Sequence, residues 1–157
     1  MVNRKFSTLT IANKVFLIGL ITWIILQLSR FIAMPLINDV NAGAESKAWL
    51  YPAYLDLFAA GFALPLVWAI VKRRGFLTWA CVIVYLAISI VDHVGNFVTT
   101  TFVGPPSIAE GMNPYLVPVI QTALDIVFFV LLFIPGFRNL FFRIDESSGK
   151  LQTEYST

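Results

Sequence analysis

Four long stretches of the chain are almost entirely apolar. They cover approximately Val15–Ile37, Trp49–Val71, Phe76–Val98 and Tyr115–Pro135. Each is close to the roughly 20 residues that an α-helix needs to cross the hydrocarbon core of a bilayer. Apolar and polar residues do not alternate with a period of two in any of them, so helices rather than barrel strands must satisfy the backbone in lipid. The pattern predicts an all-α integral membrane protein, built as a four-helix transmembrane up-down bundle.

The segments between the spans predict the topology. The link from Lys72 to Gly75 is so short that spans two and three must form an antiparallel hairpin. Nine of the 11 lysines and arginines fall on the side of this link: Arg4, Lys5, Lys14, Lys72, Arg73, Arg74, Arg138, Arg143 and Lys150. Because basic segments stay in the cytoplasm, both termini are predicted to be cytoplasmic, in a bacterial inner membrane or an equivalent membrane.

The region after the fourth span has two parts. Apolar residues first recur with the helical spacing i, i+3, i+4, i+7, at Phe137, Leu140, Phe141 and Ile144. This spacing predicts a short amphipathic helix on the cytoplasmic leaflet. Residues 145–157 are polar and rich in Ser, Thr and Glu, which is typical of a disordered tail. The predicted organisation is therefore one transmembrane domain, residues 1–144, and a cytoplasmic tail, residues 145–157.

Composition agrees with a membrane protein and excludes several kinds of chemistry. Of the 157 residues, 58% are hydrophobic and 13% are charged, which is far from the composition of a soluble domain. The basic residues lie where topology requires them, and no nucleic-acid-binding pattern is present. The single cysteine, Cys81, excludes a disulfide within the chain, and the single histidine, His93, excludes a bis-histidine haem. No predicted span contains a lysine, which excludes a retinal Schiff base.

Seven polar or ionisable residues interrupt the four apolar segments. With a rise of 1.5 Å per residue, Arg30, Asp56, Asp92 and Gln121 fall about 10 Å from the outer end of their spans, and Asp125 falls about 15 Å deep. The seven are Arg30, Asp56, Asp92, His93, Asn96, Gln121 and, deepest, Asp125. A charge inside a bilayer costs at least a few kcal/mol, so such residues usually face a protein interior or a water-filled cavity. We therefore predict one polar layer in the outer half of the bundle.

Helical spacing predicts that each span turns one polar face inward. On the third span this face carries Tyr85, Ser89, Asp92, His93 and Asn96, and Thr99 and Thr100 extend it outward. On the first span the corresponding face carries Trp23, Gln27, Arg30 and Met34. On the second span, small residues surround one carboxylate, at Ala53, Asp56, Ala60 and Ala63. Small residues allow helices to approach closely in lipid.

The predicted layer contains one arginine and three aspartates. Arg30 is expected to pair with Asp92 or Asp56, since its guanidinium can bind a carboxylate with two parallel hydrogen bonds. The excess negative charge can be relieved in three ways: a carboxylate holds a proton, His93 is protonated, or a cation binds. Asp125 is the carboxylate that we expect to hold a proton, because it is the deepest and the furthest from Arg30.

We interpret the layer as a pocket open to the outer side. It would bind, or bind and transform, a small apolar or amphipathic ligand such as a lipid. The predicted ligand-binding residues are Trp23, Arg30, Asp56, Tyr85, Asn96 and Gln121, and the predicted catalytic residues are Asp92, His93 and Asp125. The outer loop Gly104–Pro114, rich in turn formers, is either a cap over this opening or a plain surface connection. The sequence does not decide between binding and catalysis, and it identifies no cofactor.

Two other functions remain open at this point. One is proton- or cation-coupled transport of a small solute, since Asp and His chains mark ion pathways in membranes. Against it, the cytoplasmic halves of the spans are almost wholly apolar. The other is an accessory or structural subunit, as a homo-oligomer or in a membrane complex, in which the polar residues only hold helices together. A lone histidine without an HxxxH or ExxH spacing indicates no specific metal site.

Overall fold

The computed structural model describes residues 9–72, 75–111 and 113–142, and these residues form helices and turns without strands. The α-helices are α1 Ile11–Leu26, α2 Ala33–Asn41, α3 Leu50–Lys72, α4 Phe76–Val103, α5 Leu116–Leu131 and α6 Pro135–Arg138. A 3₁₀ segment, Gln27–Ile32, joins α1 to α2, and short 3₁₀ turns lie at Lys47–Trp49 and Ser107–Ala109. The all-helical architecture predicted from the sequence is confirmed for the described residues.

Three helical stretches are long and apolar enough to cross a membrane: Ile11–Asn41, Lys47–Lys72 and Phe76–Val103. The fourth, Leu116–Leu131, is apolar but shorter. At 1.5 Å per residue its 16 residues extend about 24 Å, less than the roughly 30 Å hydrocarbon core. In the most apolar windows of the three long stretches only 39%, 28% and 39% of the residues are buried. A surface this apolar is unstable in water, so the fold is consistent with an α-helical membrane bundle.

The first long stretch is not a regular α-helix throughout. Pro35 has no N–H, and its ring crowds the carbonyl of Phe31, which disturbs the turn that precedes it. In the 3₁₀ segment each residue turns about 120° instead of 100°, so six residues rotate the following helix by about 120° in total. As a result Met34, which the sequence pattern assigned to the inner face, is 54% exposed. Leu36 and Val40 are buried in its place.

Helix α3 lies at the centre of the bundle. It packs against the first long stretch on one side and against α4 on the other, while α5 packs against α4. The residues Ala53, Ala60 and Ala63 are at most 1% exposed. The predicted small-residue face of this span is therefore confirmed, and it allows the neighbouring helices to approach α3 closely.

The two ends of the bundle differ in their cores. In the half where α3 turns into α4, here called the hairpin half, buried apolar residues from several helices form one cluster that includes Phe16, Leu20, Leu66, Val82 and Leu86. The opposite half, called the loop half, contains the connections at residues 42–49 and 104–115. Its smaller apolar cluster consists of Ala33, Leu36, Val40, Trp49 and Ala53.

The sequence places Trp49, Tyr51 and Tyr54 at the outer end of the second span, which predicts an interfacial aromatic belt there. Tyr51 and Tyr54 are 61% and 56% exposed, as residues of an interfacial belt would be. Trp49, predicted to belong to the same belt, is buried instead, at 3% exposed. The 3₁₀ turn Lys47–Trp49 precedes α3 and directs its last side chain into the small apolar cluster.

The segment after α5 closes the hairpin half. The rings of Phe137 and Phe16 stack with centroids 4.4 Å apart, and the ring of Phe142 meets that of Trp79 at 5.6 Å. Phe141 is only 1% exposed. The predicted amphipathic segment is thus a short helix, Pro135–Arg138, followed by turns, and its apolar side chains face the bundle core. Ile144 and the predicted tail lie outside the described residues.

Candidate functional site

Arg30 is the centre of a buried polar network in the loop half. It is only 4% exposed. Its Nε donates to Oε1 of Gln27 at 2.5 Å, which is possible because residues three apart eclipse each other in the 3₁₀ segment. Its Nη2 donates to Oγ of Ser89 at 2.5 Å and also to Nε2 of His93. Three of the five guanidinium N–H groups therefore have partners on the first long stretch and on α4.

The remaining nitrogen of Arg30, Nη1, lies between two carboxylates. It is 2.6 Å from Oδ2 of Asp92 on α4 and 3.4 Å from Oδ1 of Asp56 on α3. The sequence prediction of an ion pair with Asp92 or Asp56 therefore describes the geometry, except that both aspartates share one nitrogen. Nδ2 of Asn96 donates to the other oxygen of Asp92 at 3.4 Å. Asp92 is fully buried, whereas the side chain of Asp56 is 21% exposed.

Asp125 joins the network from α5. Nε1 of Trp23 donates to its Oδ1 at 2.6 Å, and its Oδ2 lies 3.3 Å from Nε2 of His93. A guanidinium can only donate, so Nε2 of His93 must act as the acceptor for Arg30. His93 therefore lies between Arg30 and Asp125, and the polar cluster brings together the first long stretch, α3, α4 and α5.

Two buried atoms of this network have no hydrogen-bond partner within the described part of the chain. They are Nε2 of Gln27 and Oδ2 of Asp125. The 3.3 Å separation between Oδ2 of Asp125 and Nε2 of His93 brings the two groups close but does not have hydrogen-bond geometry. Buried groups left without a partner are costly, so these atoms mark the least satisfied part of the network.

A cavity of about 230 Å³ lies beside the network, between the first long stretch and α5. The charged or ionisable side chains on its wall are Arg30, Asp56 and His93, with Asn96, Thr100 and Gln121 as neutral polar neighbours. Its apolar walls include Ile32, Trp49 and Val117. Residues of the loop between α4 and α5 also line it, at Pro106, Ile108, Ala109, Asn113 and Pro114.

The loop between α4 and α5 is held in place from two directions. Its chain leaves α4 through Gly104, whose φ of +97° is a conformation that suits glycine. Its Ser107 N–H donates to Oε1 of Glu45, in the other loop, at 2.8 Å. Ile108 packs against the small apolar cluster. Of the two alternatives considered for this loop, the geometry favours the cap, because the loop forms part of the cavity wall.

The predicted site residues separate into two groups. Arg30, Asp56, His93, Asn96 and Gln121 line the cavity. The others are not among its lining residues, and each has a polar partner inside the protein: Trp23 with Asp125, Asp92 with Arg30, and Tyr85 with Ala59, whose carbonyl accepts from the phenol at 3.0 Å. The ligand contacts predicted for Trp23 and Tyr85 therefore have no support in the cavity geometry.

The three predicted catalytic residues are constrained by their surroundings. Nε2 of His93 accepts from Arg30, which occupies the lone pair that a general base would use. Asp92 and Asp125 are both 0% exposed. Among the described residues no group of three or more His, Cys, Asp or Glu side chains is arranged to hold a metal ion. The functional groups of Asp92, His93 and Asp125 are thus engaged or buried within the protein, and their catalytic roles stay predictions.

Sequence reasoning missed some important contacts. Ser89 was predicted only as a member of a polar face, yet it binds Arg30 directly. Gln27 was assigned in the same way, and its role depends on the 3₁₀ segment. Pro35, eight residues after Gln27, was the sequence feature from which the disturbed turn could have been anticipated.

Comparison with known proteins adds no assignment to this geometry. The chain matches no protein-family model, and neither the curated proteins nor the solved structures contain a significant match to it.

Proposed function

We propose that this chain is a multi-pass membrane protein that binds a small amphipathic ligand in the cavity of its loop half. In this proposal four segments cross the membrane, both termini are cytoplasmic, and the membrane is a bacterial inner membrane or its equivalent. The asymmetric distribution of lysine and arginine supports the orientation. The cavity would then open toward the outer side of the bilayer.

The proposal rests on one observation: the cavity is lined by a few polar side chains that the protein holds in fixed positions. Apolar walls with a few placed polar groups are typical of small-molecule sites. Here the polar groups are Asp56, Asn96 and Gln121, which are neither fully buried nor fully exposed. Arg30 and His93 are buried behind them and hold Asp56 and α4 in a defined arrangement.

The ligand would reach the cavity from the side as well as from the loops. Ser29 and Ile32 on one wall and Val117 on the other are exposed on the bundle surface. In a bilayer this surface meets lipid, since large apolar side chains surround it. A gap between the first long stretch and α5 therefore suits a molecule that is partly dissolved in the membrane.

The alternative of transport has less support. Beneath the network, the hairpin half is filled by the large apolar cluster, which includes Leu20, Leu66 and Leu86. This part of the described chain offers no continuous row of polar side chains that a solute or proton could follow. Solute flux across proteoliposomes that is lost in Asp92→Asn and Asp125→Asn would favour transport over the proposal.

A panel of matched six-carbon probes tests binding. The protein in lipid nanodiscs is titrated with hexylammonium, hexanol and hexanoate, and thermal unfolding is followed at each concentration. We expect a saturable rise in Tm with at least one probe. Gln121→Phe, which fills the cavity from α5, should abolish it, whereas Ile120→Phe adds the same ring on the exposed neighbouring position and should not.

The outcomes separate clearly. If none of the three probes gives a saturable rise with the wild-type protein, the binding proposal is wrong. The same conclusion follows if Gln121→Phe and Ile120→Phe respond alike, because the site would then lie outside the cavity. An unchanged Tm of both variants without any probe verifies that neither ring disturbs the fold.

A further inference from the structure

We infer that the cavity selects a ligand with a positively charged head group, a primary amine or a related ammonium, on an apolar body. The inference rests on the proposed function, since it names the class of ligand for the same cavity. It follows from three properties of the site: a saturated arginine, one accessible carboxylate, and an excess of negative charge.

Arg30 cannot serve as the receptor for an anion without losing protein partners. Its five N–H groups face five acceptors: Gln27, Ser89, Asp56, Asp92 and His93. A ligand carboxylate or phosphate would have to displace one of them. It would also approach the carboxylate of Asp56, which lies on the same cavity wall. Like charges in a site of low polarity repel strongly.

Asp56 is the charged group of the described cavity wall that remains accessible. Its side chain is 21% exposed, compared with 3% for Arg30 and 2% for His93. Its oxygen lies 3.4 Å from Nη1 of Arg30, while Asp92 takes the same nitrogen at 2.6 Å. Asp92 therefore holds this nitrogen more closely, and the second oxygen of Asp56 keeps acceptor capacity for a ligand.

The neighbours of Asp56 suit an ammonium group. An ammonium has three donors and no acceptor, and Asn96, Thr100 and Gln121, which line the same cavity as Asp56, each carry a side-chain oxygen that can accept. Even with Asp125 protonated, as its depth predicts, the network sets one guanidinium against the two carboxylates of Asp56 and Asp92. A cationic ligand beside Asp56 reduces this imbalance, whereas a neutral or anionic ligand leaves it or increases it.

The cavity volume limits the size of the bound part. About 230 Å³ corresponds to roughly eight water molecules at about 30 Å³ each, and therefore to a head group with a short chain. A longer chain can leave through the gap bordered by Ser29, Ile32 and Val117. The shared chemistry is the ammonium group, and its source is either a small water-soluble amine or the amine of a lipid.

The test compares the same three probes by affinity. Because they differ mainly in the charge of the head group, we expect hexylammonium to bind at least about ten-fold more tightly than hexanol or hexanoate, as a charge-assisted hydrogen bond allows. Asp56→Asn should reduce hexylammonium affinity by about ten-fold or more and leave hexanol affinity nearly unchanged. Glu110→Gln removes a carboxylate from the exposed loop beside the cavity and serves as the matched control.

The results distinguish a failure of this inference from a failure of the proposed function. If hexanol or hexanoate binds best and Gln121→Phe still blocks it, the pocket exists but its ligand is not cationic. Equal affinity of hexylammonium for the wild type and Asp56→Asn also overturns the inference. Should Asp56→Asn fail to fold, the ranking of the three probes on the wild-type protein decides alone.

Two further arms identify the source of the amine. Octadecylammonium in the nanodisc lipid should displace hexylammonium if the gap admits a long chain, and this result supports a lipid amine. Failure to displace it supports a small soluble amine. Sodium chloride and potassium chloride are titrated alone, and a saturable rise in Tm with either salt that Asp56→Asn removes would overturn the inference in favour of a bare cation.

Discussion

The hairpin half and the loop half of the bundle are built from the same helices but by different interactions. In the hairpin half, side chains such as Leu20, Val82 and Leu86 are 0% exposed and pack within the large apolar cluster. In the loop half, Arg30, Asp92 and Asp125 are also buried, but Arg30 pairs with Asp92, and Asp125 accepts a hydrogen bond from Trp23.

The two kinds of interaction differ in how narrowly they specify the arrangement of the helices. Apolar packing tolerates many arrangements of similar volume, and in lipid it gains little from the hydrophobic effect. A buried charge network is satisfied in few geometries, and losing one member leaves the others without partners. The hairpin half can therefore close the bundle, whereas the loop half fixes the arrangement of the helices and leaves a cavity with a defined chemistry beside them.

Removing the guanidinium of Arg30 should have the largest effect on the stability of the loop half. Arg30→Met keeps an unbranched side chain but leaves Asp92 and Asp56 without a cation, so we expect the free energy of unfolding to fall by about 3–5 kcal/mol. Unfolding by SDS titration in mixed micelles measures it. Arg138→Met, at an exposed position 5.8 Å from the ring of Phe142, is the control and should cost about 1 kcal/mol or less. A loss below 1 kcal/mol for Arg30→Met would mean that the network does not stabilise the fold.

Truncation of a buried leucine tests the apolar packing of the hairpin half. Leu86→Ala removes a side chain that is 0% exposed and should cost about 2 kcal/mol, the low end for buried leucine, because lipid also offers an apolar environment to the unfolded segment. Leu64→Ala, on a position 57% exposed, should cost about 0.5 kcal/mol or less. Probe affinities should be unchanged in both variants, and a change in Leu86→Ala would contradict the separation of the two halves.

Two tryptophans sharpen the comparison, since each donates one hydrogen bond through Nε1. Trp23 donates to the carboxylate of Asp125 at 2.6 Å, and Trp79 donates to the carbonyl of Leu132 at 3.0 Å. Bonds to charged groups are about twice as strong as neutral ones. If Asp125 holds a proton, as its depth predicts, both bonds join neutral groups, and we expect Trp23→Phe and Trp79→Phe each to cost about 0.6 kcal/mol by the same SDS titration. A cost of about 1.5 kcal/mol for Trp23→Phe alone would indicate a charged acceptor. Equal costs would indicate that Asp125 is not acting as a charged acceptor for Trp23.

That last outcome bears on the prediction that Asp125 holds a proton. In the infrared spectrum, a carboxylic acid band lost in Asp125→Asn would support it. A carboxylate band assigned to Asp125 by the same substitution would contradict it.

Much of the architecture followed from local patterns. The positions of the long apolar segments predicted the helices, because a run of apolar residues can be placed in lipid only if its backbone is satisfied within the helix. The spacing of Ser89, Asp92, His93 and Asn96 predicted that these residues share the inner side of α4, and all four are buried or half-buried. Helical periodicity is a local property, so it needed no knowledge of the other helices.

Other features depended on relations between helices, which periodicity does not contain. The sequence indicated that Arg30 would find an aspartate, but only the rotation of the first long stretch relative to α3 and α4 decided that Asp92 and Asp56 share Nη1. The 3₁₀ segment changed that rotation and moved Met34 outward. The cavity is likewise a space between elements, since α5, the first long stretch and the loop each supply part of its wall.

The sequence by itself thus determined that the chain forms apolar helices and which residues are polar within them. Tertiary structure decided which of those residues meet, which stay accessible, and that Asp56 rather than Asp92 faces the cavity. The physical reason is that hydropathy acts on each helix separately, whereas a buried charge is stabilised only by the particular partners that packing brings within hydrogen-bond distance.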